Sequence, residues 1–193
     1  MKFLLFIVVS ISINFTYAGL PEDFEQIKNL GRDLEPTGAI CEEVARLRFS
    51  EKYPQPKYTV VTGIQYSDKF GNTIGELDLV VFDNQTQVAN VIAEVKCWKS
   101  PKSGLKKAKE QRKRFLDHVN SSKALSFEWM FDRKKKLTKT QFNKTKTFYF
   151  IGQSGVVNHG FDFELPYSLD ELMDLRNDIL NCQTLGACSR PSH

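Results

Sequence analysis

Residues 75–99 read GELDLVVFDNQTQVANVIAEVKCWK, two strand-forming runs (LDLVVF and VIAEVKCW) on either side of a polar centre. Such runs, bounded by turn-forming residues, predict an antiparallel hairpin. Both carry ionised groups: Asp78 in the first, Glu94 and Lys96 in the second. Side chains alternate along a strand, so Glu76, Asp78, Val80 and Phe82 are expected on one face. Asn90, Ile92, Glu94 and Lys96 are expected on one face of the neighbour. With a turn over residues 84–88, Asp83 meets Ala89, Asp78 meets Glu94 and Glu76 meets Lys96, with opposed Cβ atoms roughly 5 Å apart. A slip of one residue would send Glu94 to the other face.

Two facing carboxylates repel, and burying them unpaired is strongly unfavourable. A divalent cation reverses that sign. Mg²⁺ takes one or two carboxylates and fills its remaining positions with water and phosphate oxygens. Because LVVF and VIA are apolar on both faces, the hairpin is expected to be buried rather than wet on one side. The pattern therefore points to Mg²⁺ (or Mn²⁺) held by Asp78 and Glu94, with the Lys96 ammonium beside it. The plainer alternative is a solvated ion pair of Lys96 with Glu76 or Glu94, worth little more than about 0.5 kcal/mol.

Around this hairpin the chain reads as one α/β unit. A short leading helix is expected over residues 21–34. A second, over 38–52 (GAICEEVARLRFSEK), has Ile40, Val44 and Leu47 on one face and is stopped by Pro54 and Pro56. Residues 57–66 are β-branched and aromatic, hence a strand. After the hairpin, SPKSG is expected as a loop and 105–119 as a basic helix burying Leu105, Ala108, Phe115, Leu116 and Val119. Residues 146–152 form a further strand. Residues 168–180 form a helix whose Ser168 and Glu171 match a capping box. The order is α-β-β-β-α-β-α, a mixed central sheet flanked by helices. Residues 120–145, including FEWMFDRKKK, are expected as an inserted helix or an aromatic-basic loop.

GELDLVVFD followed by VIAEVKCWK resembles the PD-(D/E)XK nuclease superfamily, the restriction-endonuclease-like fold, over about residues 38–119. The resemblance implies an αβββαβ core, placed at about 38–152. It implies metal binding by Asp78 and Glu94, and a lysine, Lys96, that positions the attacking water and stabilises developing charge. It also implies a further glutamate from the preceding helix. CEEVA offers two: spacing to Ala45 favours Glu42, whereas closeness to the Ile40/Val44/Leu47 stripe favours Glu43, which is the expectation here. Some branches add a glutamine on the following helix, a place Gln111 occupies. The leading Pro-Asp of the family pattern is absent.

Net charge is only +4, but residues 96–146 hold 17 Lys and Arg against 4 Asp and Glu. Lys106, Lys107, Lys109, Arg112 and Lys113, with the run Arg133, Lys134, Lys135 and Lys136, are expected to grip a polyanion, nucleic acid with DNA favoured over RNA, the plainer alternative being a solvated helix face. The three histidines, His118, His159 and His193, offer no paired-imidazole alternative.

The first eighteen residues, MKFLLFIVVSISINFTYA, have the form of a cleaved signal peptide ending near Ala18. The remaining 19–193 are expected as a single exported domain, secreted or periplasmic, without stable membrane association. Four cysteines in such a chain suggest disulfides. Cys182 with Cys188 would leave Cys41 for Cys97, one of three possible pairings. The expected activity is metal-dependent phosphodiester hydrolysis. The alternative is a non-catalytic polyanion-binding module on the same fold.

Overall fold

The computed structural model describes residues 19–191; the expected leader (1–18) and His193 lie outside them. Helix α1 (Leu20–Ile27) is shorter than expected, because the chain turns away through Gly31, whose φ of 62° takes it out of helical geometry. Helix α2 (Ala39–Lys52) buries Ile40, Val44 and Leu47 as its periodicity implies, together with Cys41, Glu43, Ala45 and Phe49. Strands β1 (Tyr58–Ser67), β2 (Thr73–Asp83) and β3 (Ala89–Val95) follow, then α3 (Pro101–Val119). The SPKSG segment is therefore not a loop: Ser100 caps α3 by accepting the Ser103 N–H, and Pro101 takes the first helical position. Proline suits that place because its missing N–H would find no intrahelical partner there.

Residues 120–145 also depart from expectation. They supply strands β4 (Ser126–Trp129) and β5 (Lys136–Leu137) and a 3-10 turn (Lys139–Gln141) instead of a helix or a plain loop. The free edge of β1 is what recruits them: β4 pairs antiparallel along residues 64–67. Strand β6 (Thr147–Gly152) lies parallel to β3, β7 (Phe163–Glu164) lies parallel to β6, and α4 (Leu169–Thr184) closes the described chain. Both halves of the α4 capping box, Ser168 and Glu171, are formed.

The result is a mixed seven-stranded sheet in the order β5-β4-β1-β2-β3-β6-β7. On one face, α1, α2 and α4 pack over Leu79, Val81, Val91, Ala93 and Ile151. On the other, Phe115 and Val119 of α3 pack with Val80, Phe82, Ile92 and an aromatic group in which Phe127 and Phe142 stack at 4.3 Å. Both disulfides are formed, Cys41–Cys97 and Cys182–Cys188. They fit an oxidising extracellular or periplasmic setting. Among the described residues no helix is long and apolar enough to cross a membrane.

Two irregularities shape the central strands. The β2–β3 register is Leu79↔Ala93, Val80↔Ile92 and Val81↔Val91, as the turn length implies. It then shifts so that Phe82, not Asp83, meets Ala89. Second, strict alternation would place Val61 and Ile64 on opposite faces, yet both join the α3-side cluster, as do their partners Val80 and Leu77. The two strands change face between those pairs, at Gly63 and Asp78. Gly63 has φ 69°, a left-handed backbone that glycine adopts without a Cβ penalty. Glu76 therefore does not share a face with Val80 and Phe82; Leu77 takes that place.

Candidate active site at the fork of the central strands

The β2–β3 ladder ends at Leu79↔Ala93. Further along, the Lys96 N–H donates to the Ile151 carbonyl at 2.8 Å, so the chain leaves β2 and follows β6. Asp78 stands in the opening of this fork. Its Oδ2 accepts the Val95 N–H at 2.8 Å. Glu94 is the neighbouring carboxylate on β3. Both are buried, Asp78 at 4 % exposure and Glu94 at 2 %.

The Lys96 ammonium joins them. Nζ donates in a short hydrogen bond to Asp78 Oδ2 and in a second, at 3.1 Å, to the Val95 carbonyl, and it lies 3.8 Å from Glu94 Oε2. Burial opposes its charge, but Asp78 and then Glu94 outweigh that cost and hold its pKa above the ordinary lysine range. Glu94 is pushed well above the usual carboxylate range, first by burial and then by the charge of Asp78, against the pull of Lys96 and Arg114. Its Oε2 is buried with no hydrogen-bond partner, and so is Oε1 of Gln111 on α3. A buried acceptor without a donor is costly, and a cation is one way to satisfy it.

The two glutamates of α2 separate cleanly. Glu43 is buried against the sheet, where it accepts from Thr62 Oγ1 at 3.0 Å and from Arg46 Nε at 2.6 Å and pairs with Arg32 Nε at 3.0 Å. Two guanidinium groups already neutralise it. Glu42 is the half-buried member whose charge interacts with the site. Its pKa is raised to about 8, first by burial, then by Asp78 and Glu76. The disulfide ties these parts together, since Cys41 precedes Glu42 and Cys97 follows Lys96.

The donors available here are all hard oxygens: the Asp78 and Glu94 carboxylates and the Val95 carbonyl, with Glu42 nearby. They fit Mg²⁺ or Mn²⁺ better than a softer metal. Among the described residues, no group of three or more His, Cys, Asp or Glu is arranged to hold a metal ion. A cation at the fork would therefore need oxygens from solvent or from a substrate.

The basic residues fall into two sets. Lys106, Lys109 and Lys113 line a shallow groove along the outer face of α3 with His159. Lys113 is paired with Asp117 at 2.7 Å, and the Arg112 guanidinium lies 4.7 Å from the Phe150 ring centre. Lys107 is exposed. In the other set, Arg133 pairs with Glu128 at 3.1 Å, and Lys135 lies over the Trp129 ring; Lys134 lies in the turn before β5, and Lys136 is the first residue of β5. Arg114 is a site residue that the sequence reading does not single out, although it acts on Glu94. Its spacing of three from Gln111 is the available signal, because positions three apart share a helix face.

No family model matches the chain, and no curated protein or solved structure matches it significantly.

Proposed function

We propose that this protein is an exported, divalent-cation-dependent nuclease with a restriction-endonuclease-like core. The observation that carries the reading is the orphaned Glu94 Oε2, buried beside Asp78 and within 3.8 Å of the Lys96 ammonium. The order α2, β1, β2, β3, α3, β6, with β6 parallel to β3, supports the core assignment.

Asp78 and Glu94, with the Val95 carbonyl, are the groups that would hold Mg²⁺ or Mn²⁺. The bound cation supplies Lewis-acid charge at the scissile phosphate and makes water a better nucleophile. Lys96, its side chain 11 % exposed, would contribute a fixed positive charge largely shielded from solvent, where it counts most as negative charge builds on the phosphoryl oxygens. Asp78 keeps that ammonium charged and aimed. Gln111 of α3, whose buried Oε1 lacks a donor, would accept from a water or hydroxyl entering the site. Of the two α2 glutamates, Glu42 is the better accessory acid, since Glu43 is held by Arg32 and Arg46. The cationic stripe of α3 would bind backbone phosphates without sequence choice and weaken steeply with salt. The test is cleavage of plasmid and single-stranded DNA by purified protein, with Mg²⁺ and with EDTA. Activity that survives chelation, or that is equal in wild type, Asp78→Asn and Glu94→Gln, rejects the proposal.

A second reading, a polyanion-binding module without turnover, draws on one observation. Lys96 already satisfies Asp78 and the Val95 carbonyl from within the chain. It predicts salt-sensitive DNA binding with no cleavage under any divalent metal.

A further inference from the structure

We propose that the groove between the β1–β2 hairpin tip and the C-terminal end of α3, which is lined by the exposed Phe70 ring, its neighbour Lys69 and Lys123, binds the bases and phosphates of a single-stranded nucleic acid. The inference rests on the nuclease reading and adds the form of its substrate.

Phe70 is 77 % exposed. The turn that presents it is well built. Asp68 Oδ1 accepts the N–H groups of Phe70 at 2.8 Å and Asn72 at 2.9 Å, and Oδ2 accepts Asn72 Nδ2 at 3.0 Å. Gly71, at φ 85°, completes the turn. Asp68 is thus engaged by the turn itself rather than by the neighbouring lysines. Lys69 Nζ lies 4.8 Å from the Phe70 ring centre. The groove, about 570 Å³, is further lined by Ile74, His118, Lys123 and Leu125.

An aromatic face flanked by ammonium groups matches an unstacked base with its phosphates: rings stack on any base, and lysines follow the backbone. A duplex hides base faces inside its stack and offers a side groove only edges and phosphates. Two of the lining residues, Ile74 and His118, sit on elements that also carry the candidate active site. His118 stands one turn beyond Arg114, about 6 Å along the helix axis. Arg114 is the α3 cation that acts on Glu94. Ile74 is four residues before Asp78 on β2, hence about 13 Å away.

The experiment measures binding of a short labelled oligothymidine, and of a labelled duplex of equal length, by anisotropy in EDTA so that no cleavage intervenes. Phe70→Ala should weaken oligothymidine binding about 5- to 150-fold and leave duplex binding unchanged. Phe70→Trp should restore it. Lys69→Ala and Lys123→Ala should each reduce the slope of log affinity against log salt by about 0.7. Oligothymidine binding unaffected by Phe70→Ala, or lost equally with duplex binding, overturns the proposal. Cleavage assays on the same preparations separate the two ideas. Phe70-dependent binding without cleavage keeps the groove and removes the nuclease. Cleavage that needs Asp78, with binding indifferent to Phe70, does the reverse.

Discussion

Asp78 Oδ2 accepts the Val95 N–H at 2.8 Å, filling the place that a strand carbonyl would hold had β2 and β3 stayed paired. The same oxygen accepts from Lys96 Nζ. One carboxylate oxygen therefore both ends the ladder and orients the ammonium, so the fork in the sheet and the charge arrangement share an origin. Glu94, one residue before Val95 on β3, has no such employment.

This difference separates two substitutions that both remove a negative charge. Asp78→Ala leaves the Val95 N–H and the Lys96 ammonium without their acceptor in a buried setting. A loss of about 3–5 kcal/mol is expected, as for breaking a buried ion pair. Glu94→Gln removes a carboxylate that burial and Asp78 already oppose, so stability in EDTA should hold or rise. Urea denaturation of the two variants reads the contrast, while both should lose Mg²⁺-dependent cleavage. Equal destabilisation would mean that Glu94 is a structural anchor.

A pH effect of definite sign arises from Glu42 and Glu94. The Glu42 pKa is about 8 in the folded protein against an ordinary 4.5, and Glu94 is raised in the same direction. Between those values the folded state holds more protons than the unfolded state, so unfolding becomes easier with each rise in pH. Stability from this source is complete below about 4.5 and lost as pH climbs through about 8. Melting temperature in EDTA should fall across that window, and millimolar Mg²⁺, which favours the ionised carboxylates, should flatten the fall. A melting curve indifferent to Mg²⁺ at pH 8 would count against cation binding at the fork.

Away from the site, Asp23 is wholly buried, at 0 % exposure. It accepts from Arg48 of α2 and, at 3.0 Å, from the Tyr167 hydroxyl, pinning α1 to both. Asp23→Ala should cost about 3–5 kcal/mol by leaving the guanidinium without that carboxylate. Tyr167→Phe should cost about 1.5–3 kcal/mol, the worth of one hydrogen bond to a charged group. Denaturant midpoints test the ranking, and an Asp23→Ala protein as stable as wild type would contradict it.

The two disulfides should differ in consequence. Cys41 and Cys97 are 56 residues apart, Cys182 and Cys188 only 6. Loop entropy assigns the longer bridge about 4 kcal/mol and the shorter about 2 kcal/mol. Cys41→Ser with Cys97→Ser should also impair cleavage, because it releases the segments bearing Glu42 and Lys96. Loss of the tail bridge should leave cleavage intact. Denaturation and cleavage rates measured on each double variant check both halves of that expectation.

Much of the centre is legible in the sequence because local chemistry decides it. Charges in apolar strands mark Asp78, Glu94 and Lys96, and turn length gives the pairing of Leu79 with Ala93. What escapes depends on partners distant in the chain. Glu42 and Glu43 sit side by side on one helix; Arg32 and Thr62, from other segments, occupy Glu43 and leave Glu42 toward the site. Strands β4 and β5 are too short for a period-two pattern to register, and the edge of β1 creates them. Two local signals do mark departures from the expected pattern: Gly63 inside a β-branched run, a sign of strand irregularity, and Ser100-Pro101, a sign of a helix start.

The Cys41–Cys97 bridge has a further meaning for maturation. While the chain remains in a reducing compartment its thiols are separate, and packing alone holds the segments next to Glu42 and Lys96. Oxidation then adds a covalent strut one residue from each. Under the nuclease proposal, the site is fully braced only in an oxidising setting of the kind that the two bridges fit.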